Sequence, residues 1–193
     1  MLKSSAKPLH REVILGIDPG SLITGWGLIE IIGSQLNHLA HGTIGTNPAM
    51  ALPSRLSHIH SGLRGIMERH QPSTVSLEKV FFSRNAQSAL KLGQARGVAL
   101  LAAADRQLRV AEYSAAEIKL AVVGYGRATK EQVQRMVSAL LCLRGTIRAD
   151  AADALASAIC HAHRRTFQNL VARSYGRVKS TSWRDYLETA SRR

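Results

Sequence analysis

The sequence of 193 residues contains few cysteines, few aromatic residues and few acids. Its two cysteines, Cys142 and Cys160, fit a protein of a reducing compartment. Neither has a second cysteine or a histidine at the spacing of a zinc finger, which excludes that class of site. We interpret both cysteines as small apolar residues of the interior.

The chain also lacks a long apolar run. Its longest, Val98 to Ala104, is far shorter than the roughly 20 residues that a membrane-spanning helix needs. The first residues, MLKSSAKPLHR, lack the apolar stretch of a secretion signal. We therefore expect a cytoplasmic protein that does not enter a membrane.

Acids are outnumbered by bases, with 13 Asp and Glu against 26 Lys and Arg and a net charge of +13. We interpret residues 1–11 as a flexible leader, residues 12–172 as one folded domain and residues 173–193 as a basic C-terminal extension. Without both ends, the chain keeps 17 basic and 11 acidic side chains, a net charge of +6. The folded part is thus basic itself, which favours a polyanionic partner such as nucleic acid, a ribosome or an anionic membrane surface.

Hydrophobic periodicity and turn residues predict five strands and five helices. The strands are expected at 12–17, 24–32, 39–46, 73–80 and 109–113, and the helices at 52–70, 86–105, 114–122, 130–143 and 150–165. Short links between the first three strands indicate an antiparallel meander, and Asp18-Pro19-Gly20-Ser21 has the pattern of a type II turn. The order predicts an α/β fold with a five-stranded mixed sheet flanked by helices.

Four of the scarce acids occupy unusual positions. Asp18 ends an apolar strand, and Glu78 interrupts the neutral strand VSLEKV, where alternation directs Leu77 to the opposite face. Asp150 and Asp153, three residues apart, share one face of the first turn of a helix. For each acid taken alone there is a structural alternative: Asp18 starts a turn, or Asp150 caps a helix.

The element order resembles the ribonuclease-H-like fold, which would bring these two strands and this helix to one edge of the sheet. Clustered carboxylates repel one another, and divalent cations such as Mg²⁺ relieve that repulsion. Two such ions, roughly 3.5–4 Å apart, activate water and stabilise the leaving oxygen of a phosphodiester. Acidic residues suited to binding a metal ion, together with basic residues suited to binding a polyanion, indicate a nuclease.

The chain resembles the RuvC-type crossover junction endodeoxyribonucleases, the Holliday junction resolvases, over roughly residues 12–166. Four stretches carry the resemblance, in the family order: GIDPGSLITGWG (16–27), LEKVFFSRNAQSALKLGQARG (77–97), VVGYGRATKEQVQRMV (122–137) and ADAADALASAICHAH (149–163). The resemblance implies that Asp18, Glu78, Asp150 and Asp153 bind Mg²⁺, two ions per subunit with Mn²⁺ as a substitute, and catalyse hydrolysis. It also implies a homodimer that nicks a four-way DNA junction symmetrically, assisted by the branch-migration proteins RuvA and RuvB.

The resemblance also implies DNA contacts. Phe81 matches an aromatic residue that stacks on junction bases, with interior packing as its alternative. Lys119 and Lys130 match basic positions close to the cleaved phosphate. Tyr125 and Arg127 belong to a glycine-rich loop where the backbone can approach DNA. The other DNA candidates surround the start of the long helix: Arg84, Asn85 and Lys91.

A stripe of small residues on the long helix, Ala86, Ala89, Gly93 and Gly97, permits close approach of another helix. The resemblance favours a dimer interface here, and packing against the chain's own sheet is the alternative. We interpret His161 and His163, near the end of the last helix, as surface residues and not as metal ligands.

Two other functions compete with the nuclease. An ATP-using enzyme of the actin and sugar-kinase type also begins with a strand and an acidic, glycine-containing turn, but such enzymes usually need two domains and a second phosphate loop. An RNA-processing nuclease or a junction-binding module without catalysis is the other alternative. The full set of four carboxylates disfavours an inert module.

Overall fold

In a computed structural model, residues 11–79 and 86–174 are described. The strands are β1 (Arg11–Asp18), β2 (Ile23–Ile32), β3 (Gln35–Gly45), β4 (Thr74–Glu78) and β5 (Arg109–Tyr113). The helices are α1 (Leu52–His70), α2 (Ala86–Ala104), α3 (Ala115–Val123), α4 (Lys130–Leu140) and α5 (Ala149–Ser174). The predicted leader, except Arg11, and nearly all of the predicted C-terminal extension lie outside the described residues. None of the helices within the described ranges has the length and hydropathy to span a membrane.

The five strands form one mixed sheet in the order β3-β2-β1-β4-β5. Short links join β1, β2 and β3, which pair antiparallel, so the predicted meander is confirmed. Strands β4 and β5 run parallel to β1, with α1 and α2 as the crossover connections that parallel strands require. The predicted five-stranded mixed sheet is therefore also confirmed.

Alternating residues of β1 point into two separate hydrophobic cores. Ile14 packs against α3, α4 and α5 on one face, whereas Leu15 and Ile17 pack against α1 and α2 on the other. Because alternation continues along the strand, Asp18 lies on the same face as Ile14, which is the α5 face. The helices thus cover both faces, as predicted, and α5 lies directly over β1 and β2.

Two local predictions were wrong. Gly20 does not adopt the positive φ that a type II turn requires, and glycine is needed there for space: a Cβ would stand 2.2 Å from the carbonyl oxygen of Ile23. The last helix extends to Ser174, beyond the expected end at Arg165.

Three side chains also differ from their predicted environments. Cys160 is buried, as expected, but Cys142 is exposed because it follows α4 with a left-handed backbone, at φ 51°. His161 and His163 are half-buried and hydrogen-bonded, so their assignment to the surface was wrong. The His161 Nδ1 atom lies 2.8 Å from the Tyr113 hydroxyl, and the His163 Nδ1 atom donates to the carbonyl oxygen of Ala121 at 2.8 Å.

Candidate active site

Asp18 and Glu78 end two neighbouring parallel strands. The register pairs Ile17 of β1 with Leu77 of β4, so the two acids follow side by side at the carboxyl edge of the sheet. Ser76 shows which face β4 presents there, because its hydroxyl lies 2.8 Å from the hydroxyl and carbonyl oxygens of Ser157 in α5. Glu78, two residues later, therefore shares the α5 face with Asp18.

Three glycines allow α5 to lie directly on this face. A Cβ at Gly16 would stand 1.9 Å from the carbonyl oxygen of Ala154, and one at Gly25 would stand 1.9 Å from that of Asp150. A Cβ at Gly27 would stand 2.5 Å from the Leu155 side chain. Only glycine permits this contact, and Gly25 is also the residue that pairs with Asp18. The glycines thus bring the first turn of α5 over Asp18.

The four acids act on one another electrostatically. The pKa of Asp18 is raised from 3.8 to about 7, mainly by burial and then by the negative charges of Asp153, Glu78 and Asp150. Burial and the charge of Asp153 also raise the pKa of Glu78. All four predicted carboxylates therefore contribute to one electronegative site.

Three cations surround this site. Lys130 is the first residue of α4, behind an N-cap in which the Thr129 hydroxyl accepts from the Gln132 amide. Its Nζ atom donates to Asp153 Oδ2 at 3.4 Å, and its charge lowers the pKa of both Asp18 and Glu78. Lys119 also lowers the pKa of Glu78, and Arg148 lies 3.9 Å from Asp150 Oδ2. These cations offset part of the repulsion among the acids.

The set of donors suits a hard divalent cation, because it consists of carboxylate oxygens without histidine or cysteine. Within residues 11–79 and 86–174, no three acidic, histidine or cysteine side chains stand close enough together to enclose an ion as placed. Mutual repulsion, and the pairing of Asp153 with Lys130 and of Asp150 with Arg148, favour this separation. The residues would suit a metal centre, because a bound divalent cation would offset the repulsion among the carboxylates.

The DNA candidates divide into three groups. Lys119 and Lys130 belong to the acidic site through their charges. Tyr125, which is 57% exposed, and Arg127 project from the loop between α3 and α4, and Lys91 is exposed on α2; neither Lys91 nor Arg127 shifts the pKa of Asp18 or Glu78. The remaining candidates lie outside the described residues: Phe81, Arg84 and Asn85.

Sequence reasoning missed Arg148 and the role of the glycines. Arg148 stands two residues before Asp150, where a basic residue offers no pattern that separates it from a solvated surface charge. Gly25 and Gly27 did carry a signal, since alternate glycines in an apolar strand indicate close approach of another backbone. The sequence did not reveal that the approaching element is α5.

The comparisons with known proteins agree on one family. The model of the family described as crossover junction endodeoxyribonuclease RuvC matches residues 14–161. A crossover junction endodeoxyribonuclease RuvC from Pelobacter propionicus is 51% identical over 175 residues, which make up 90% of this chain and 98% of that relative.

Solved structures extend the comparison. The RuvC of T. thermophilus in complex with a Holliday junction substrate superimposes with a TM-score of 0.77 at 33% identity, covering 81% of this chain and 96% of that one. The yeast mitochondrial Holliday junction resolvase Ydc2 gives a TM-score of 0.59 at 11% identity over 88% of this chain and 87% of its own, a likeness of fold alone. The sheet and its flanking helices have the ribonuclease-H-like architecture expected from the sequence. The chain belongs to the RuvC family of crossover junction endodeoxyribonucleases.

Proposed function

We propose that Asp18, Glu78, Asp150 and Asp153 are the catalytic and metal-binding residues with which this chain hydrolyses phosphodiesters in a four-way DNA junction. The observation that carries this assignment is the electrostatic state of Asp18, whose pKa is raised to about 7 by burial and by the other three acids. A carboxylate held among like charges is a strong site for a divalent cation.

The acidic and basic residues of this site have different proposed roles. Two Mg²⁺ ions per subunit, or Mn²⁺ in their place, supply the Lewis acid that activates water and stabilises the leaving oxygen. Asp18 and Glu78 hold their oxygens at the rigid ends of two strands, and Asp150 and Asp153 hold theirs on α5. Lys130, exposed over 78% of its side chain and paired with Asp153, is placed to exchange that carboxylate for a DNA phosphate.

DNA recognition is proposed to use Lys119 and Lys130 beside the acids, together with exposed groups on α2 and on the loop between α3 and α4. The T. thermophilus RuvC structure contains a Holliday junction substrate, and the shared fold supports the same class of substrate here. Tyr125 offers an exposed ring for stacking on an unpaired base, and Lys91, Lys119 and Arg127 offer charges to phosphates. Phe81, Arg84 and Asn85 are proposed contacts from the family resemblance alone.

A homodimer is proposed through the outer face of α2. Ala95, Ala99, Ala102 and Ala103 bury one face of this helix against the chain's own core. The other face exposes 67% of Leu90 and 54% of Leu101, and the space beside Gly93 and Gly97 is open. Two such faces related by a two-fold axis would cover the leucines and present two active sites for paired, symmetric nicks. The Ala86 side chain lies outside the described residues.

Three further expectations follow from family membership. We propose RuvA and RuvB as partners that move the junction before it is cut, in recombination and DNA repair. The cytoplasm is the expected location because the substrate is DNA. An ATP-using enzyme is disfavoured because the described residues form a single sheet, which provides no second domain for a nucleotide cleft.

Cleavage of a labelled four-way junction in Mg²⁺ tests the proposed function. We expect paired nicks at symmetric positions in two strands of like polarity. A linear duplex of the same sequence serves as the control and should stay intact. Intact junctions of every sequence tried, in both Mg²⁺ and Mn²⁺, would contradict the proposal.

A further inference from the structure

An open pocket of about 310 Å³ lies between β5 and α5, with Arg109 at the end of β5 that is farther from the four acids. Its walls include three arginines, one histidine, one tyrosine and one buried acid. These residues are Arg109, Arg164, Arg165, His161, Tyr113 and Glu12. The pocket is therefore basic, although the established family activity assigns it no role.

The three arginines are held in different ways. Arg165 pairs with Glu12, which is only 4% exposed. Arg164 pairs with Glu117 and places its guanidinium 5.4 Å from the centre of the Tyr113 ring. Arg109 is exposed and forms no ion pair with any acid among residues 11–79 and 86–174. Two arginines are thus fixed in the wall, and the third keeps its charge available to an anion.

The remaining polar groups of the pocket are neutral hydrogen-bonding groups. His161 Nδ1 lies 2.8 Å from the Tyr113 hydroxyl, and burial together with the charge of Arg109 lowers the pKa of His161 below its usual 6.5. At neutral pH the positive charge of the pocket therefore comes from guanidinium groups. Guanidinium groups bind phosphate through paired, charge-assisted hydrogen bonds, which makes a phosphate the best-matched ligand.

The position of the pocket relates it to the DNA. The sheet register places Arg109 of β5 beside Thr74 of β4, and Glu78 of the acidic site follows Thr74 by four residues along β4. Four residues of strand span about 13 Å. Successive base pairs of DNA rise by about 3.4 Å along the helix axis, so this distance corresponds to about four base pairs. Lys119, whose charge reaches Glu78, extends the positive charge from the acidic site toward β5.

We propose that this pocket binds a backbone phosphate of a junction arm, about four base pairs from the cleaved bond, with Arg109 as the contacting charge. The inference rests on the proposed function for its choice of DNA as the source of the phosphate. It adds a second anchor on each subunit, which sets the direction in which an arm leaves the acidic site.

The salt dependence of junction binding tests the pocket. Binding is measured in Ca²⁺ for the wild type, Arg109→Ala and Arg64→Ala; Arg64 is exposed on α1, which covers the other face of the sheet. We expect Arg109→Ala to reduce the slope of log K against log salt by about 1 and to weaken binding about tenfold, because one phosphate contact is lost. Arg64→Ala should keep the wild-type slope, and Arg109→Lys should restore most of it.

A modified DNA locates the contact. Methylphosphonate linkages, each of which removes one phosphate charge, are placed one at a time along an arm. At a position about four base pairs from the cleaved bond, the modification should weaken binding of the wild type but not of Arg109→Ala. Equal effects on both proteins at every position would overturn the proposal, and so would identical salt slopes for Arg109→Ala and Arg64→Ala.

Two further outcomes separate this proposal from its alternatives. Binding of inorganic phosphate to the pocket is followed through the His161 ring resonances. If phosphate binds saturably but Arg109→Ala keeps the wild-type salt slope of junction binding, the assignment of the pocket to DNA is overturned. Cleavage by the wild type tests the proposed function separately. If the salt slope depends on Arg109 but the wild type never cuts a junction, the pocket proposal stands and the nuclease assignment is overturned.

Discussion

Strand β1 carries an acid at each end, and α5 covers both. Glu12 pairs with Arg165 and accepts hydrogen bonds from the hydroxyls of Thr74 at 3.0 Å and Ser73 at 3.3 Å. Asp18 instead faces three other acids, and its pKa is raised to about 7 by burial and by their charges. The same strand and helix therefore pair a buried acid with a cation at one end and place the other among like charges at the opposite end. The uncompensated end is the one that we propose to be functional.

The largest effect is expected from Asp18→Asn, which removes a proposed metal-binding oxygen at the uncompensated end. Cleavage should fall roughly 10³-fold or more, the equivalent of about 4 kcal/mol of transition-state stabilisation. Junction binding in Ca²⁺ should change little, because the variant keeps every basic phosphate contact. Single-turnover cleavage and a binding titration measure the two quantities.

Asp105→Asn is the matched control for this variant, because Asp105 is exposed just beyond the end of α2 and its carboxylate lies 3.2 Å from His60 Nε2. It should cut at the wild-type rate. A loss of junction binding in Asp18→Asn would show instead that Asp18 maintains the structure.

Glu12→Gln removes the carboxylate that pairs with Arg165 at the compensated end of β1. It should lower the stability of the fold and leave the rate of cleavage unchanged. It leaves the Arg165 guanidinium, whose side chain is only 24% exposed, without its carboxylate. The free energy of unfolding should drop by about 3 kcal/mol, as measured by urea denaturation. Glu30→Gln, whose partner Arg11 is 71% exposed, should cost about 1 kcal/mol or less. Equal losses for the two variants would contradict the distinction between the ends.

Gly25→Ala sharpens the comparison by disturbing α5 at the acidic end alone. The added Cβ would stand 1.9 Å from the carbonyl oxygen of Asp150, so the first turn of α5 has to shift. We expect a loss of about 2 kcal/mol in stability and weaker binding of Mg²⁺, measured by calorimetry. Gly45→Ala, which meets nothing within 4 Å, is the control and should bind Mg²⁺ like the wild type.

The smallest effect concerns pH in the absence of metal. Asp18 keeps its proton up to about pH 7 in the folded protein, whereas it loses the proton near its ordinary pKa of 3.8 when unfolded. Between these values the folded protein binds more protons, so raising the pH lowers the free energy of unfolding. The fall should be about 1 kcal/mol, because solvent and Lys130 screen the charges.

Thermal unfolding in EDTA from pH 5 to 8 measures this effect as the difference between the wild type and Asp18→Asn, which lacks the titrating group. Addition of Mg²⁺ at pH 8 should remove the difference. A wild type that becomes more stable than Asp18→Asn as the pH rises without metal would contradict the mutual repulsion of the acids.

Local pattern predicted the elements that carry the acids. The sequence pattern placed Asp18 at the end of an apolar strand and Glu78 within the strand 73–80, and three-residue spacing placed Asp150 and Asp153 on one helix face. In the structure β4 ends at Glu78, and all four acids contribute to one electronegative site. These inferences succeeded because strand and helix periodicities depend on near neighbours in the chain. The five-stranded mixed sheet followed from the same signals.

Contacts between distant segments were not predictable in this way. The closeness of Gly25 to Asp150 joins residues far apart in sequence, and the pairing of His161 with Tyr113 depends on how α5 crosses β5. The exposed position of Cys142 depends on a single left-handed residue after α4. Each outcome reflects tertiary packing or one backbone angle, neither of which leaves a periodic trace.

The glycine contact beneath α5 has a consequence for motion. Main-chain atoms of α5 rest on main-chain atoms of β1 and β2, so the anchor points of Asp18 and Asp150 are set by two hydrogen-bonded elements. Such backbones fluctuate little, whereas exposed side chains change rotamer within picoseconds to nanoseconds. The acids are short and can only rotate about fixed anchors, but Lys130 and Arg148 are long and exposed. The long side chains of Lys130 and Arg148 can therefore reposition more readily than the acids, whose backbone anchors stay in place.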